Sequence, residues 1–328
     1  MTKILKIIII SLLLPVLPAR GQQYNISPVN ADVVVSPESI RAKVERLTDP
    51  ALGGRATGTE GGKRCAYALV DTFREMGLKP LSGAWLHGFY TSEGLARNVI
   101  GLIPGSSWPT RYVVLMAHYD NLGFLNGNFY PGADSNASGV AALLELSAMV
   151  THMNTCHKMY GCGLLVVALD GKEKDQAGAA ELWRLLDKGR LTDPVSGNPI
   201  YADQISLVVN LDQLGGTSSP LTDGHPRYLM MLSDEATGHR SALQHANAGR
   251  GLGLELSYDY YGSKDFTRLF FRQISDQRVF LEHGIPSVMF TSGITLRNNK
   301  TTDTAESLDY DVLCDRIRLI FRYLDKVL

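Results

Sequence analysis

His118 and Asp120 are the residues of this 328-residue chain whose types and spacing most directly indicate chemistry. They follow a short apolar run at residues 113–116, which is typical of a buried strand. Open α/β sheets place their ligands at the carboxyl ends of such strands, so the pair could hold a metal ion or move a proton. Two-residue metal motifs also match by chance, so the pair alone is as compatible with a polar loop.

Two further apolar runs end in charged residues. Gly163–Leu169 leads to Lys172 and Glu173, and Ile205–Leu211 leads directly to Asp212. Because parallel strands bring their carboxyl ends to one edge of a sheet, we expect these side chains to converge with the histidine.

Strands alternate with helices along the chain, which predicts a three-layer α/β/α fold with a mixed, mostly parallel central sheet. The predicted strands are residues 98–103, 113–116, 163–169, 205–211, 227–232 and 285–290. The predicted helices are residues 37–47, 65–77, 140–149, 177–186, 241–249 and 309–328. No linker or repeat divides the chain, so we expect a single domain over residues 22–328.

The first 21 residues predict export. Lys3 and Lys6 precede an apolar core at residues 7–17, and small residues at positions 19 and 21 suit cleavage before Gln22. We therefore expect a periplasmic or extracellular protein. No other stretch reaches the roughly 20 apolar residues of a membrane span. With a net charge of -1 and no basic stripe, nothing indicates a nucleic-acid partner.

The four cysteines fit no zinc-module spacing. Cys156 and Cys162 could close a small disulfide loop in an oxidising compartment, or all four thiols could be free. Both alternatives stay open at this point.

Longer motifs carry a family resemblance. His118-Tyr119-Asp120 is followed at residues 131–139 by Pro-Gly-Ala-Asp-Ser-Asn-Ala-Ser-Gly, and residues 52–59 read Leu-Gly-Gly-Arg-Ala-Thr-Gly-Thr. These motifs resemble those of the zinc exopeptidase family that contains bacterial leucyl aminopeptidases and the glutaminyl cyclases. The resemblance implies a phosphorylase/hydrolase-like fold and two zinc ions about 3.5 Å apart at the strand ends.

Four positions keep the residue that the resemblance implies. His118 matches the first zinc-binding histidine, and Asp120 matches the carboxylate that orients its imidazole. Glu173 and Asp212 match two further zinc ligands.

Three positions depart from the family pattern. Ser135 stands at the bridging aspartate, Lys172 at the general-base glutamate and Asn299 at the last zinc-binding histidine. The family's Ser-Asp-His before the last strand is also changed, to Ser-Asp-Gln at residues 275–277. Zinc sites need three or four good protein ligands, so we expect no metal or one weakly bound ion here.

Three functions remain open. The first, which we favour, is a pseudo-peptidase that binds a peptide, glycan, small molecule or protein partner without zinc-dependent hydrolysis. The second is an active exopeptidase or glutaminyl cyclase with a metal site rebuilt from His118, Asp134 and Glu173. The third is different chemistry with Lys172 as base or nucleophile.

Lys172 also carries a structural expectation. In the family the first residue of the Glu-Glu pair faces the metals, so its lysine replacement should still point into the cleft. We expect its ammonium to replace zinc among the carboxylates of Glu173, Asp212 and Asp120.

Overall fold

The computed structural model describes residues 27–106, 111–217, 225–233, 238–248, 251–260 and 262–328. The predicted signal peptide lies outside these residues, and both its cleavage and the single-domain boundary stay predictions.

The strands of the described residues are β1 (Lys79–Pro80), β2 (Leu86–Thr91), β3 (Gly94–Ile103), β4 (Tyr112–His118), β5 (Gly123–Leu125), β6 (Asn128–Tyr130), β7 (Gly163–Leu169), β8 (Leu191–Thr192), β9 (Pro199–Ile200), β10 (Ile205–Leu211), β11 (Tyr228–Ser233), β12 (Glu255–Ser257) and β13 (Ser287–Thr291). Nine of them form one central sheet, in the order β1-β3-β7-β4-β10-β13-β11-β12 with β2 also beside β3. Two small hairpins, β5-β6 and β8-β9, lie apart from it.

The sheet is mixed and parallel at its centre. Strands β7, β4, β10 and β13 are parallel neighbours, whereas β3 and β11 pair antiparallel with β7 and β13 at the two sides, and β12 is parallel to β11. Every residue of β4 and β7 is buried, as expected for strands covered on both faces. Their carboxyl ends therefore lie side by side in the middle of the molecule.

Helices cover both faces, which confirms the predicted fold class. They are α1 (Pro37–Thr48), α2 (Glu60–Glu75), α3 (Gly139–Thr155), α4 (Ala177–Asp187), α5 (His239–Ala248), α6 (Lys264–Leu269), α7 (Arg278–Glu282) and α8 (Tyr310–Val327). One large core packs α1, α2, α3, α5 and α8 against one face, and a second core packs α4 and α7 against the other. Within the described part of the chain, no helix is long and apolar enough to cross a bilayer.

Most predicted elements are present within a few residues, and the strands at 163–169 and 205–211 have the predicted bounds. The helix predicted from residue 65 begins earlier, at Glu60, where the Thr59 hydroxyl caps it by accepting a hydrogen bond from the Gly62 amide. Two helices, α6 and α7, were not predicted, and neither were the strands β1, β2, β5, β6, β8, β9 and β12. All four cysteines are free thiols, so the Cys156–Cys162 disulfide is not formed.

Arg55 joins the loops that flank the sheet edge. It is fully buried, and its guanidinium donates to the carbonyl oxygens of Leu47, Tyr119, Pro131 and Gly132 at 2.6–2.9 Å. Tyr119 follows β4, while Pro131 and Gly132 lead into α3, so one side chain fixes both loops.

Replacement of Arg55 by Met should therefore lower the free energy of unfolding by several kcal/mol, at about 1–3 kcal/mol for each carbonyl left without a donor. Urea denaturation followed by circular dichroism measures this loss. The matched control is Arg74→Met, because Arg74 is exposed and its ion pair among the described residues is with Asp71 on the same helix. It should change stability by about 0.5 kcal/mol or less. A similar small loss for Arg55→Met would contradict the assignment.

Candidate functional site

The ends of β4, β7 and β10 bring the predicted residues to one place. His118 is the last residue of β4, Lys172 and Glu173 follow β7, and Asp212 directly follows β10. The Nε2 atom of His118 lies 3.5 Å from Oδ1 of Asp212, and both side chains are almost fully buried. The convergence expected from the sequence is therefore present for this pair.

The Lys172 ammonium points inward. Its Nζ lies 3.2 Å from Oδ2 of Asp212, and its side chain is only 15% exposed. The Ser275 hydroxyl donates to the same Asp212 oxygen at 2.9 Å. Burial alone would lower the pKa of Lys172, but the carboxylates of Asp212, Asp276 and Glu173 outweigh it and raise that pKa above its usual value.

The expected partners of this ammonium are only partly found. Among the described residues, its sole ion pair is with Asp212, whereas the Glu173 carboxylate forms no hydrogen bond or ion pair and Asp120 binds other groups. Burial raises the pKa of Asp212, yet the Lys172 charge and the contact with His118 bring it well below its usual range. The pair is therefore a charged one.

His118 is held in one orientation by the main chain. Its Nδ1 lies 3.1 Å from the Asp120 carbonyl oxygen, which can only accept, so Nδ1 carries a proton. Burial and Lys172 lower the pKa of His118, but Asp120 and Asp212 raise it to about 9. The ring is thus a second cation facing Asp212. The Asp120 carboxylate is farther away, with Oδ1 3.6 Å from Nδ1.

The carboxylate of Asp120 instead fixes the turn after β7. It accepts from the amides of Lys172 and Glu173 at 3.1 and 3.2 Å and from the Thr57 hydroxyl at 3.3 Å. Burial raises the pKa of Asp120, but His118 and the two amides hold it below its usual value. Asp120 therefore acts more on the position of Lys172 than on the imidazole.

Asp276 is a site residue whose role the sequence did not reveal. It is fully buried, and neither carboxylate oxygen has a hydrogen-bond partner among the described residues. Burial raises its pKa to about 7, with Asp212 and Asp120 adding to the effect and His118 and Lys172 opposing it. The Ser-Asp-Gln motif, changed from the family's Ser-Asp-His, was the sequence feature that pointed to this position. Its Gln277 accepts a hydrogen bond from the Asn210 side chain at 2.8 Å.

The substituted positions line one cavity of about 270 Å³ beside these buried charges. Ser135, Lys172 and Asn299 lie on its wall together with the retained Glu173. The remaining lining residues are Asp175, Gln176, Gln213, Phe270, Ile274, Ile294 and Asn298. The structure thus places these three departures around a single opening, whereas the fourth, Gln277, is buried outside its lining.

Asp134 does not join this cavity. Its Oδ1 accepts from the amides of Gly215 and Gly216 at 2.8 and 3.1 Å and from the Ser138 hydroxyl at 3.2 Å. Burial and the neighbouring Asp303 raise the pKa of Asp134 to about 7. The one-ion site expected from His118, Asp134 and Glu173 is therefore not assembled, because the aspartate binds the backbone after β10.

The residues present do not fit the zinc pair that the resemblance implies. The bridging carboxylate is replaced by a hydroxyl, one ligand by an amide, and the Asp212 carboxylate is already paired with the Lys172 ammonium. Among the described residues, no group of three His, Cys, Asp or Glu side chains is placed to hold a metal ion. A zinc site needs three or four such donors.

The ion pair between Lys172 and Asp212 should be coupled energetically. Lys172→Met removes the ammonium that neutralises the buried carboxylate and should cost about 3–5 kcal/mol of unfolding free energy. Asp212→Asn in the same chain should recover part of that loss, and a double-mutant cycle from urea denaturation measures the recovery.

Lys174→Met provides the matched control for this cycle. Lys174 pairs with Glu93 at 3.0 Å on the surface, so its loss should cost about 1 kcal/mol or less. Strictly additive effects of the Lys172 and Asp212 changes would show that the two charges do not stabilise each other.

Comparison with known sequences agrees with these motifs. The pattern of peptidase family M28 matches residues 98–324. The zebrafish (Danio rerio) BOS complex subunit ncln is 29% identical over 187 residues, which cover 54% of this chain and 31% of that protein. The matched region thus spans less than a third of that relative's length.

Solved structures show the same fold at low sequence identity. BSAP, a zinc aminopeptidase from Bacillus subtilis, superposes with a TM-score of 0.65 at 13% identity, covering 89% of this chain and 95% of that one. Porphyromonas gingivalis glutaminyl cyclase gives a TM-score of 0.63 at 20% identity, with coverages of 90% and 99%. These likenesses establish the fold and not the activity.

Proposed function

The chain belongs to peptidase family M28, and we propose that it is a member that binds a ligand in its cleft without metal-dependent hydrolysis. The observation that carries the proposal is the Lys172 ammonium, 3.2 Å from Asp212 in the position of the family's general base. A positive charge there competes with any metal cation for the same carboxylate.

Hydrolysis by a two-metal peptidase requires an activated water and a base that takes its proton. Neither requirement is met by this set of residues. The pKa of Lys172 is raised by the neighbouring carboxylates, so the amine stays protonated and cannot serve as base or nucleophile near neutral pH. Ser135 offers a neutral hydroxyl where the bridging carboxylate would stand.

The charge balance supports the same proposal. Asp120 and Asp212 carry two negative charges, and Lys172 with protonated His118 carries two positive ones, so 2 - 2 leaves these four buried groups balanced. Asp276 adds only a partial charge near neutral pH, since its pKa is about 7. With Glu173 on the cavity wall, little negative charge is left to attract a divalent ion.

A ligand-binding protein would use the cavity that lies beside these buried charges. The zebrafish relative is named as a subunit of a complex, which is compatible with a role in binding rather than turnover. The predicted signal peptide indicates export. We therefore propose that the chain is a non-hydrolytic binding protein that acts in the periplasm or outside the cell.

Hydrolysis of leucine p-nitroanilide by the purified mature chain should stay at the background rate, with or without added zinc. Metal and general-base contributions each supply orders of magnitude in rate, and both are missing. Turnover that a chelator abolishes would overturn the proposal. Elemental analysis of protein purified without chelator gives a second reading, and we expect much less than one zinc per chain.

Restoring the family residues tests whether the three substitutions cause the expected lack of zinc binding and hydrolysis. The triple variant Ser135→Asp, Lys172→Glu and Asn299→His should bind zinc, because it returns the bridge, the base and a ligand and removes the competing ammonium. Each single reversion leaves two of these defects, so it should not bind zinc. Zinc binding by the unchanged chain as tight as by the triple variant would show that the substitutions are not responsible.

A further inference from the structure

The wall of the cavity is unusually rich in side-chain amides. Four of its lining residues carry a carboxamide: Gln176, Gln213, Asn298 and Asn299. Each carboxamide has two N–H donors and an acceptor oxygen. With the Ser135 hydroxyl, the cavity therefore presents neutral hydrogen-bonding groups where the family would place charged metal ligands.

Gln176 shows that one of these groups lacks a partner. Its side chain is only 8% exposed, and Nε2 donates to the Ile274 carbonyl oxygen at 3.1 Å. Because that carbonyl can only accept, the amide orientation is fixed and Oε1 is the free end. Oε1 is buried and has no hydrogen-bond partner among the described residues. Because Gln176 lines the cavity, a small shift of its side chain would bring Oε1 to a donor on an occupant.

The other polar groups alternate between donors and acceptors. Gln213 Nε2 donates to Asn298 Oδ1 at 2.7 Å, which leaves Gln213 Oε1 as an acceptor and Asn298 Nδ2 as a donor. The Asn299 amide and the Ser135 hydroxyl make no side-chain hydrogen bond to any described residue. Hydroxyl groups, which donate and accept at once, complement such a surface.

The backbone around the cavity is held in an uncommon conformation. Asp175, Gln176, Gln213 and Asn299 have φ values of 55°, 54°, 56° and 56°, in the left-handed region. They are four of the eight non-glycine residues with positive φ in the described part of the chain. Such conformations cost free energy and concentrate at ligand sites, where they aim side chains. Here three of the four carry the carboxamides in question.

Size, shape and charge restrict the occupant. A volume of about 270 Å³ lies at the lower end for ligand pockets and suits a single small ring. Phe270, Ile274 and Ile294 form an apolar part of the wall that could cover the C–H face of such a ring. The Lys172 ammonium is bound by Asp212, and the free Glu173 carboxylate disfavours an anion.

We infer that this cavity binds an uncharged, polyhydroxylated ring, that is, a monosaccharide or the terminal sugar of a glycan. The inference rests on the proposed function, because it assigns the class of ligand to the same non-hydrolytic cleft. Gln176 Oε1 accepts from one ligand hydroxyl, and the Asn298 and Asn299 amides bind its neighbours.

Saturation-transfer NMR on the mature chain tests this with glucose, galactose, mannose and N-acetylglucosamine as separate probes. At least one sugar should bind, and Gln176→Met and Asn299→Asp should each weaken it by about tenfold. Asn299→Asp is nearly isosteric and Asp tolerates the left-handed conformation, so it remains informative if Gln176→Met impairs folding. The matched control is Gln273→Met, an exposed glutamine outside the cavity lining, which should leave affinity unchanged.

Two results would overturn the inference: no sugar binds, or binding is equal in the cavity variants and the control. Leucinamide is included as a further probe. If it binds in the cavity and the sugars do not, the ligand class is wrong while the non-hydrolytic function stands. Chelator-sensitive hydrolysis of leucine p-nitroanilide is measured separately and bears on the proposed function instead.

Discussion

The ion pair between Lys172 and Asp212 is the interaction on which the rest of the site depends. The topology delivers carboxylates to one edge of the sheet, since Asp120 follows β4 and Asp212 follows β10, while Asp276 packs beside them. Buried carboxylates without a cation are costly. Divalent ions meet this need in two-metal sites, and here the Lys172 ammonium places a positive charge 3.2 Å from the Asp212 carboxylate. On the proposed function, the lysine changes the source of the positive charge without removing the need for it.

The loops around this pair are fixed by hydrogen bonds within the protein. Arg55 fixes the loops after β4 and before α3 through four carbonyl oxygens, and the carboxylate of Asp120 fixes the turn that carries Lys172. These contacts are made to main-chain groups, so they persist whichever side chains occupy positions 135, 172 and 299. The fold can thus be retained while the chemistry of its cleft is replaced.

How much the sequence could predict follows from the range of the interactions involved. Residues 163–169 and 205–211 were predicted with their bounds because fully buried parallel strands read as continuous apolar runs. The start of α2 at Glu60 was missed, since Gly61 and Gly62 look like a loop until the Thr59 cap is seen. The role of Asp276 could not be predicted either. Its carboxylate is buried without a hydrogen-bond partner among the described residues, and the groups around it come from segments that are distant in sequence.

A single ammonium contacts fewer ligands than a pair of metal ions does. The site is therefore divided into an inner part around Asp212 and an outer part beside the cavity. Two ions bridge several ligands, whereas the Lys172 ammonium ends on Asp212 and leaves Glu173 unpaired beside the cavity. The inner part, with Asp212 and His118, is closed and electrically balanced. The outer part keeps Glu173 and the amides, whose hydrogen-bonding groups are not all used by the protein. On the proposed non-hydrolytic function, a buried ion pair and a separate polar cavity that can recognise a ligand stand where the family has one continuous two-metal centre.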